Sequence, residues 1–388
     1  MAATDGDLSL FDEDEEDIEL SASASLREEI HSTVVFTIDW CVGSLLDQLQ
    51  RETIDLQPQY QRRDAWTQIK KSRLIESLIL GLPVPQLVLA ERPESKGSFI
   101  VLDGKQRLTA LLQFTGGMPS SRYNAFRLRD LPVLTELNGV AFEQLSDTPQ
   151  DNRHLNAFLN QPIRTIILRG WKSDELLHLV FHRLNSNVVP LSPQELRQAL
   201  IRGPFLTFLN DFSANSGSLQ KLLKISGPDF RMRDSELLLR LLAFSMFGDE
   251  YRGDLRKFLD MAARRVNQNW DKVSEQVQSR LHDIEAQLDL WAKVLGGHAS
   301  VGRRFRNGVM EPRLNRALLD AQVYAAAQPD IAHILQSDPK GVCHKLVRLF
   351  DVDENFARSV ETTTKSTDAV RYRGEALVAA LRTLPVVE

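Results

Sequence analysis

Two short stretches of the chain gather side chains that could do chemistry. The first is Gln57-Pro58-Gln59-Tyr60-Gln61-Arg62-Arg63-Asp64-Ala65-Trp66. Proline preorganises this loop, Arg62 offers a planar donor fork suited to phosphate, and Tyr60 offers a stacking face and a hydroxyl. A capped, solvated loop ahead of a helix would carry the same residues. The second stretch is Ser98-Phe99-Ile100-Val101-Leu102-Asp103-Gly104-Lys105-Gln106-Arg107-Leu108-Thr109-Ala110-Leu111. Here an apolar strand delivers Asp103, and Gly104 permits a positive φ or a close backbone approach. Lys105, Gln106 and Arg107 then open a helix. Free amides and the dipole draw anions to a helix start, where acidic side chains are the usual choice. Two cations in the first turn reverse that preference, which makes sense if an anion binds between them. Asp103 could then hold Mg²⁺ or orient a water; its plainer role is to cap the helix.

A third stretch runs from Phe181 to Arg197. Asn185 falls where a helix should end, and its amide could read a base or a phosphate. Ser192, Pro193 and Glu195 spell a capping box at the next helix start. Further on, Arg303, Arg304, Arg306, Arg313 and Arg316 fall within fourteen residues, against the single acid Glu311. Such a patch can bind a phosphate backbone without reading sequence, and a solvated basic loop would look the same. His178 and His182 share a helix face at metal-compatible spacing, but no third ligand accompanies them.

The elements that would position these groups divide the chain in two. Strands are expected at 34–38, 86–90, 98–102, 125–128 and 163–168, and helices after Asp39 as a cap, from Trp66 to about Gly81, and over 106–114. Beyond Ser173 the periodicity is nearly all helical. The fold expected is α+β: a mixed α/β domain over 31–170, then a mostly helical domain over 171–388. Residues 1–30 hold eleven acids and one arginine, and read as a disordered tail that could cover a basic surface. Net charge is −5, yet 46 basic and 41 acidic residues remain beyond that tail, a balance that permits DNA as a partner. Cys41 and Cys343 are far apart and form no ligand cluster. With no apolar run long enough for a membrane and no secretory pattern at the start, a cytoplasmic protein is expected.

Taken in order, the motifs are Pro58-x-Tyr60-Gln61-Arg62-x-x-x-Trp66, then Leu74-Ile75-Glu76-Ser77-Leu78-Ile79-x-Gly81-x-Pro83-Val84-Pro85, then Asp103-Gly104-Lys105-Gln106-Arg107-Leu108-Thr109. This series resembles the family named for the N-terminal domain of the GmrSD restriction endonuclease. Phe181–Arg197 is similar to a later block of that family, and Thr362–Arg373 more weakly to its distal end. The resemblance implies a ParB/sulfiredoxin-like fold and a nucleoside triphosphate site, with hydrolysis of GTP or ATP linked in several members to defence against phage DNA. It implies that Tyr60, Gln61 and Arg62 line the nucleotide, together with Gly104, Lys105, Thr109 and Asn185. Asp103, Gln106 and Arg107 would be the catalytic group, with Asp103 on Mg²⁺. Lys105 stands where the family usually has glutamine, a point charge in place of an amide. A C-terminal nuclease of the His-Asn-His type is not matched around His333 and His344.

The function expected is that of an NTP-hydrolysing sensor or regulatory protein, with DNA, a separate nuclease subunit and a second copy of the chain as candidate partners. Arg303, Arg304 and Arg306 are its candidate DNA contacts. One alternative is a metal-dependent nuclease built on Asp103, although two-metal cleavage asks for more carboxylates than this motif offers. The other is a non-catalytic, nucleotide-gated DNA-binding adaptor.

Overall fold

The computed structural model describes residues 24–56, 66–116, 125–146, 152–184, 192–229, 231–362 and 364–383. The chain divides after Leu200 into two compact units. The first unit is a five-stranded mixed sheet with helices on both faces. Its elements are α1 (Ala24–Ser32), β1 (Val34–Cys41), α2 (Val42–Gln50), β2 (Ile54–Asp55), α3 (Gln68–Ile79), β3 (Leu87–Arg92), β4 (Ser95–Asp103), α4 (Lys105–Phe114), α5 (Arg153–Asn160), β5 (Pro162–Arg169), α6 (Asp174–Leu184) and α7 (Pro193–Leu200).

The strand order is β1-β5-β3-β4-β2. β1 and β4 run antiparallel to β5 and β3 respectively, while β5 and β3 pair in parallel, as do β4 and β2. Side chains alternate across the pleat, so each central strand feeds two cores. Leu87, Leu89, Phe99, Val101, Ile163 and Ile167 face the core built with α2, α3, α4 and α5. Val88, Ala90, Ile100, Leu102 and Leu168 face the core built with α1, α6 and α7. Burial on both faces explains why β3 and β4 read as unbroken apolar runs. Each fully buried leucine contributes about 2 kcal/mol.

Several expectations are corrected here. Asp39 does not cap α2. It lies within β1, which pairs with β5 as far as Cys41↔Pro162, and it meets Arg164 on the surface. Residues 125–128 form no strand. Leu128 exchanges backbone hydrogen bonds with Gly139 and Val140, closing a local loop instead of joining the sheet. Residues 24–30, counted with the acidic tail, belong to α1. Leu26 is buried there, and Glu29 accepts hydrogen bonds from the amides of Lys172 and Ser173 and from the Ser173 hydroxyl. The boundary expected at 170 falls after Leu200, because Leu176, Leu177, Phe181 and Leu196 complete the second core of the sheet. β2 and α5 were not foreseen.

The second unit is helical. It comprises α8 (Pro204–Asn215), α9 (Gly217–Leu223), α10 (Arg233–Phe247), α11 (Leu255–Gln268), α12 (Trp270–Leu295), β6 (Arg303–Arg306), β7 (Val309–Leu314), α13 (Arg316–Ala326), α14 (Pro329–Ser337), α15 (Pro339–Val352), α16 (Glu354–Glu361) and α17 (Thr367–Arg382). The β6–β7 hairpin interrupts the helical pattern where a basic loop was expected. Its turn is Asn307-Gly308, both at positive φ (52° and 74°), the type I′ geometry that matches strand twist. Among the described residues no helix is long and apolar enough to cross a membrane.

Candidate functional site

β4 ends at Asp103 and α4 begins at Lys105, so one residue must turn the chain between them. Gly104 does so at φ 100°, ψ 8°. A Cβ at this position would sit 2.2 Å from Leu87 Cδ2. Neither the conformation nor the space accepts a side chain. Gly104 is itself the N-cap and supplies no side-chain hydrogen bond, so the start of α4 is uncapped and Asp103 does not cap it. Behind that turn, Leu108, Ala110 and Leu111 are fully buried and fix the helix against the sheet.

The five motif residues take different positions. Arg107 is 5% exposed. Its Nη2 donates to Asp103 Oδ2 at 2.7 Å and to the Gln86 carbonyl at 3.0 Å. Nη2 is thus committed to the protein, while the buried Nε has no hydrogen-bond partner. The Nη2 contact holds the Asp103 carboxylate, whose side chain is 33% exposed, by one oxygen. Lys105 is half-buried, and its Nζ lies 3.7 Å from Glu195 Oε1. Gln106 is half-buried as well, and its buried Oε1 has no hydrogen-bond partner. Thr109 follows Lys105 by one turn on the same helix face, half-buried.

The third sequence block reaches this site through Glu195. The expected capping box is formed: Ser192 N donates to Glu195 Oε2 at 2.7 Å, and Glu195 N to Ser192 Oγ at 3.1 Å. The carboxylate that closes α7 also faces Lys105, a link the motif spacing could not show. Next to it, Arg197 is fully buried and donates to Gln194 Oε1 at 2.6 Å.

Tyr60, Gln61, Arg62 and Asn185 lie outside the described residues. The described flanks of 57–65 are informative nonetheless. β2 pairs with β4 in parallel, with Asp55 opposite Ile100, so the chain leaves β2 at the sheet end where β4 delivers Asp103. Trp66, at the far flank, packs on the core shared by β4 and α4.

Residues 42–202 match the family described as GmrSD restriction endonuclease, N-terminal domain. This segment is a GmrSD N-terminal domain. The match begins at α2 and ends two residues beyond α7, so it takes in nearly all of the sheet unit. Neither the curated proteins nor the solved structures hold a match to the chain, and the ParB and sulfiredoxin likeness is carried by the sequence resemblance alone.

Within the GmrSD N-terminal domain, part of the family pattern is structural. Glu76 is 4% exposed, and its Oε1 accepts hydrogen bonds from the amides of Val133 and Leu134. Gly81, at φ 71°, follows the end of α3. Outside the domain, the basic patch does not hold together. Arg303 is 1% exposed and donates to the carbonyls of Ala299 and Leu222, which removes it from any DNA-facing surface. Arg304 pairs with Glu311 at 2.7 Å and faces Glu361 at 3.7 Å. Arg306 and Arg313 are exposed.

Proposed function

We propose that the GmrSD N-terminal domain binds a nucleoside triphosphate, GTP or ATP, at the open start of α4 and hydrolyses it. In this reading the chain is the nucleotide-responsive sensor or regulatory component of a restriction-type phage-defence system that acts on or with DNA, and strand cleavage comes from a separate nuclease subunit. One observation carries the reading: an uncapped helix start with a half-buried lysine at its first position and, beside it, a glutamine whose buried carbonyl oxygen has no donor.

Each group then has a task. The free amides of α4 and Lys105 balance phosphate charge. Gln106 Oε1 is an acceptor and needs a donor; an attacking water is the donor that a hydrolase would hold there. Arg107 becomes a positioning residue: it pins Asp103 through Oδ2 and leaves the other oxygen for the same water or for a metal-bound nucleotide. Mg²⁺ fits as an ion that arrives with the nucleotide, because it keeps several waters and needs only one or two carboxylates besides phosphate oxygens. Among the described residues no three His, Cys, Asp or Glu side chains are gathered for a resident metal. When bound, the ion would offset the phosphate charge. Tyr60, Gln61 and Arg62 are assigned to the nucleotide from the family resemblance and from the sheet end at which β2 releases them, and Asn185 and Thr109 from the resemblance.

The test is titration of the full chain with MgGTP and MgATP, followed by turnover with and without DNA. Lys105→Ala should weaken binding by about tenfold, close to 1.4 kcal/mol. Gln106→Ala should lower kcat while leaving affinity largely unchanged. If neither nucleotide binds at millimolar concentration, the reading is wrong. Tight binding without turnover would remove hydrolysis and leave a nucleotide-gated adaptor.

A further inference from the structure

Two ion pairs meet at the α4 turn. Arg107 and Asp103 form one at 2.7 Å, and Lys105 and Glu195 form the other at 3.7 Å. Each pair is neutral, so these four side chains bring no surplus charge to the helix start. The uncapped amides keep their partial positive charge there. One further donor faces the turn. Arg107 is 5% exposed, its Nε–H has no acceptor, and a Cβ on Gly104 would lie 3.4 Å from that nitrogen.

Glu195 carries a charge that its local role does not require. Its box with Ser192 needs one acceptor for the Ser192 amide, and Oε2 supplies it. A glutamine carbonyl would serve the box equally well. The other oxygen, Oε1, lies toward Lys105 instead. The Glu195 side chain is 7% exposed and that of Lys105 20%, and a buried carboxylate is costly to keep charged. At 3.7 Å the contact exceeds the usual N–H···O range, so Glu195 balances the ammonium without taking its hydrogens. A phosphate oxygen that reaches Lys105 therefore meets an attractive charge and, within one ion-pair length of it, a repulsive one.

We propose that Glu195 sets the form of nucleotide this turn accepts: its charge disfavours a bare triphosphate and admits the less negative Mg²⁺ complex. This role rests on the nucleotide reading above and names the residue that decides between two forms of that ligand. Coulomb repulsion scales with ligand charge, and a part-buried site screens it less than water does. A bare triphosphate carries more negative charge than its Mg²⁺ complex, so Glu195 penalises it more. Lys105 alone would favour the bare form. Paired with Glu195, it keeps its hydrogens for phosphate and loses that bias.

The full chain and Glu195→Gln are titrated by calorimetry with ATP and GTP, each with excess Mg²⁺ and with EDTA, at matched ionic strength. The wild-type chain should bind the Mg²⁺ form more tightly. Glu195→Gln should tighten the bare form about tenfold and the Mg²⁺ form only about threefold, so the preference shrinks. A purely structural Glu195 would leave that ratio where it was, even if both affinities fell. Asp130→Asn removes an exposed acid paired with Arg73 and should move neither affinity. Nucleotide binding by both chains with an unchanged ratio overturns the proposal and leaves the nucleotide reading standing. Failure of the wild-type chain to bind either form overturns that reading, and the proposal with it. Should the lone lysine left by Glu195→Gln unfold the chain, Lys105→Gln is compared with Lys105→Gln plus Glu195→Gln, which isolates the same charge; an equal ratio in those two chains overturns the proposal as well.

Discussion

The two units each place arginine against aspartate, and they do so to opposite effect. In the sheet unit, one buried guanidinium grips one part-exposed carboxylate: Arg107 holds Asp103 by a single oxygen. In the helical unit, two buried guanidiniums converge on one buried carboxylate: Arg240 and Arg373 share Asp320. The first arrangement leaves an acidic oxygen open at a helix start. The second encloses the carboxylate between both guanidiniums. The same residue types thus leave one carboxylate open to solvent and close the other into the core. Stoichiometry and burial decide which, and neither can be read from a motif.

This contrast can be broken by experiment. The largest effect is expected at Asp320. Asp320→Asn strips the shared carboxylate from two buried guanidiniums and should cost about 3–5 kcal/mol, measured by denaturant unfolding. Gly104→Ala comes next. The left-handed backbone costs about 1–2 kcal/mol for a residue with a side chain, and the contact with Leu87 Cδ2 adds an overpacking cost of about 1–3 kcal/mol. Asp103→Asn should cost only about 1–2 kcal/mol, as a charge-assisted hydrogen bond is weakened at a part-exposed site, while nucleotide turnover falls far more. Equal destabilisation by Asp103→Asn and Asp320→Asn would erase the distinction between the two clusters.

The smallest effect sharpens the contrast with a carboxylate held by neutral donors. Burial raises the cost of charging Glu29, but the Ser173 hydroxyl and the amides of Lys172 and Ser173 outweigh it and hold its pKa below the ordinary glutamate value. A depressed pKa gives stability that is present above the unfolded value and lost as pH falls through the folded one. Hydrogen exchange along α1 should therefore quicken as pH drops below the ordinary carboxylate range, before the central strands respond. Unchanged α1 protection through that range would show that Glu29 does not anchor the helix.

Much of the local structure around the α4 turn was legible in the sequence, for reasons that span a few residues. The apolar runs of β3 and β4, Gly104 between strand and helix, and the Ser192–Glu195 box all rest on rules spanning a few residues, and the structure forms each of them. The role of Arg107 was not legible, because its partners include the Gln86 carbonyl, brought close only by the pairing of β3 with β4. The Lys105–Glu195 contact was hidden for the same reason. Asp39 was misread because a polar residue ahead of a helix looks like a cap, and only pairing with β5 keeps it in a strand. The arginine patch failed on orientation: alternation in β6 and nearby acids bury Arg303 and pair Arg304. A usable signal was present there, since Asn307-Gly308 between short runs is a hairpin signature. Helix α1 was obscured by the acidic composition around it, although Leu26 and Glu29 are what dock it.

The contact between Lys105 and Glu195 ties occupancy at one helix start to the integrity of another. An anion that draws the ammonium toward α4 must compete with the carboxylate that closes α7. Glu195 would keep its backbone duty to Ser192 but lose a counter-charge, and the cost of that loss would register in the last helix before the chain crosses into its second unit. A filled and an empty site would then differ not only where the ligand sits but in how firmly the departing chain is held.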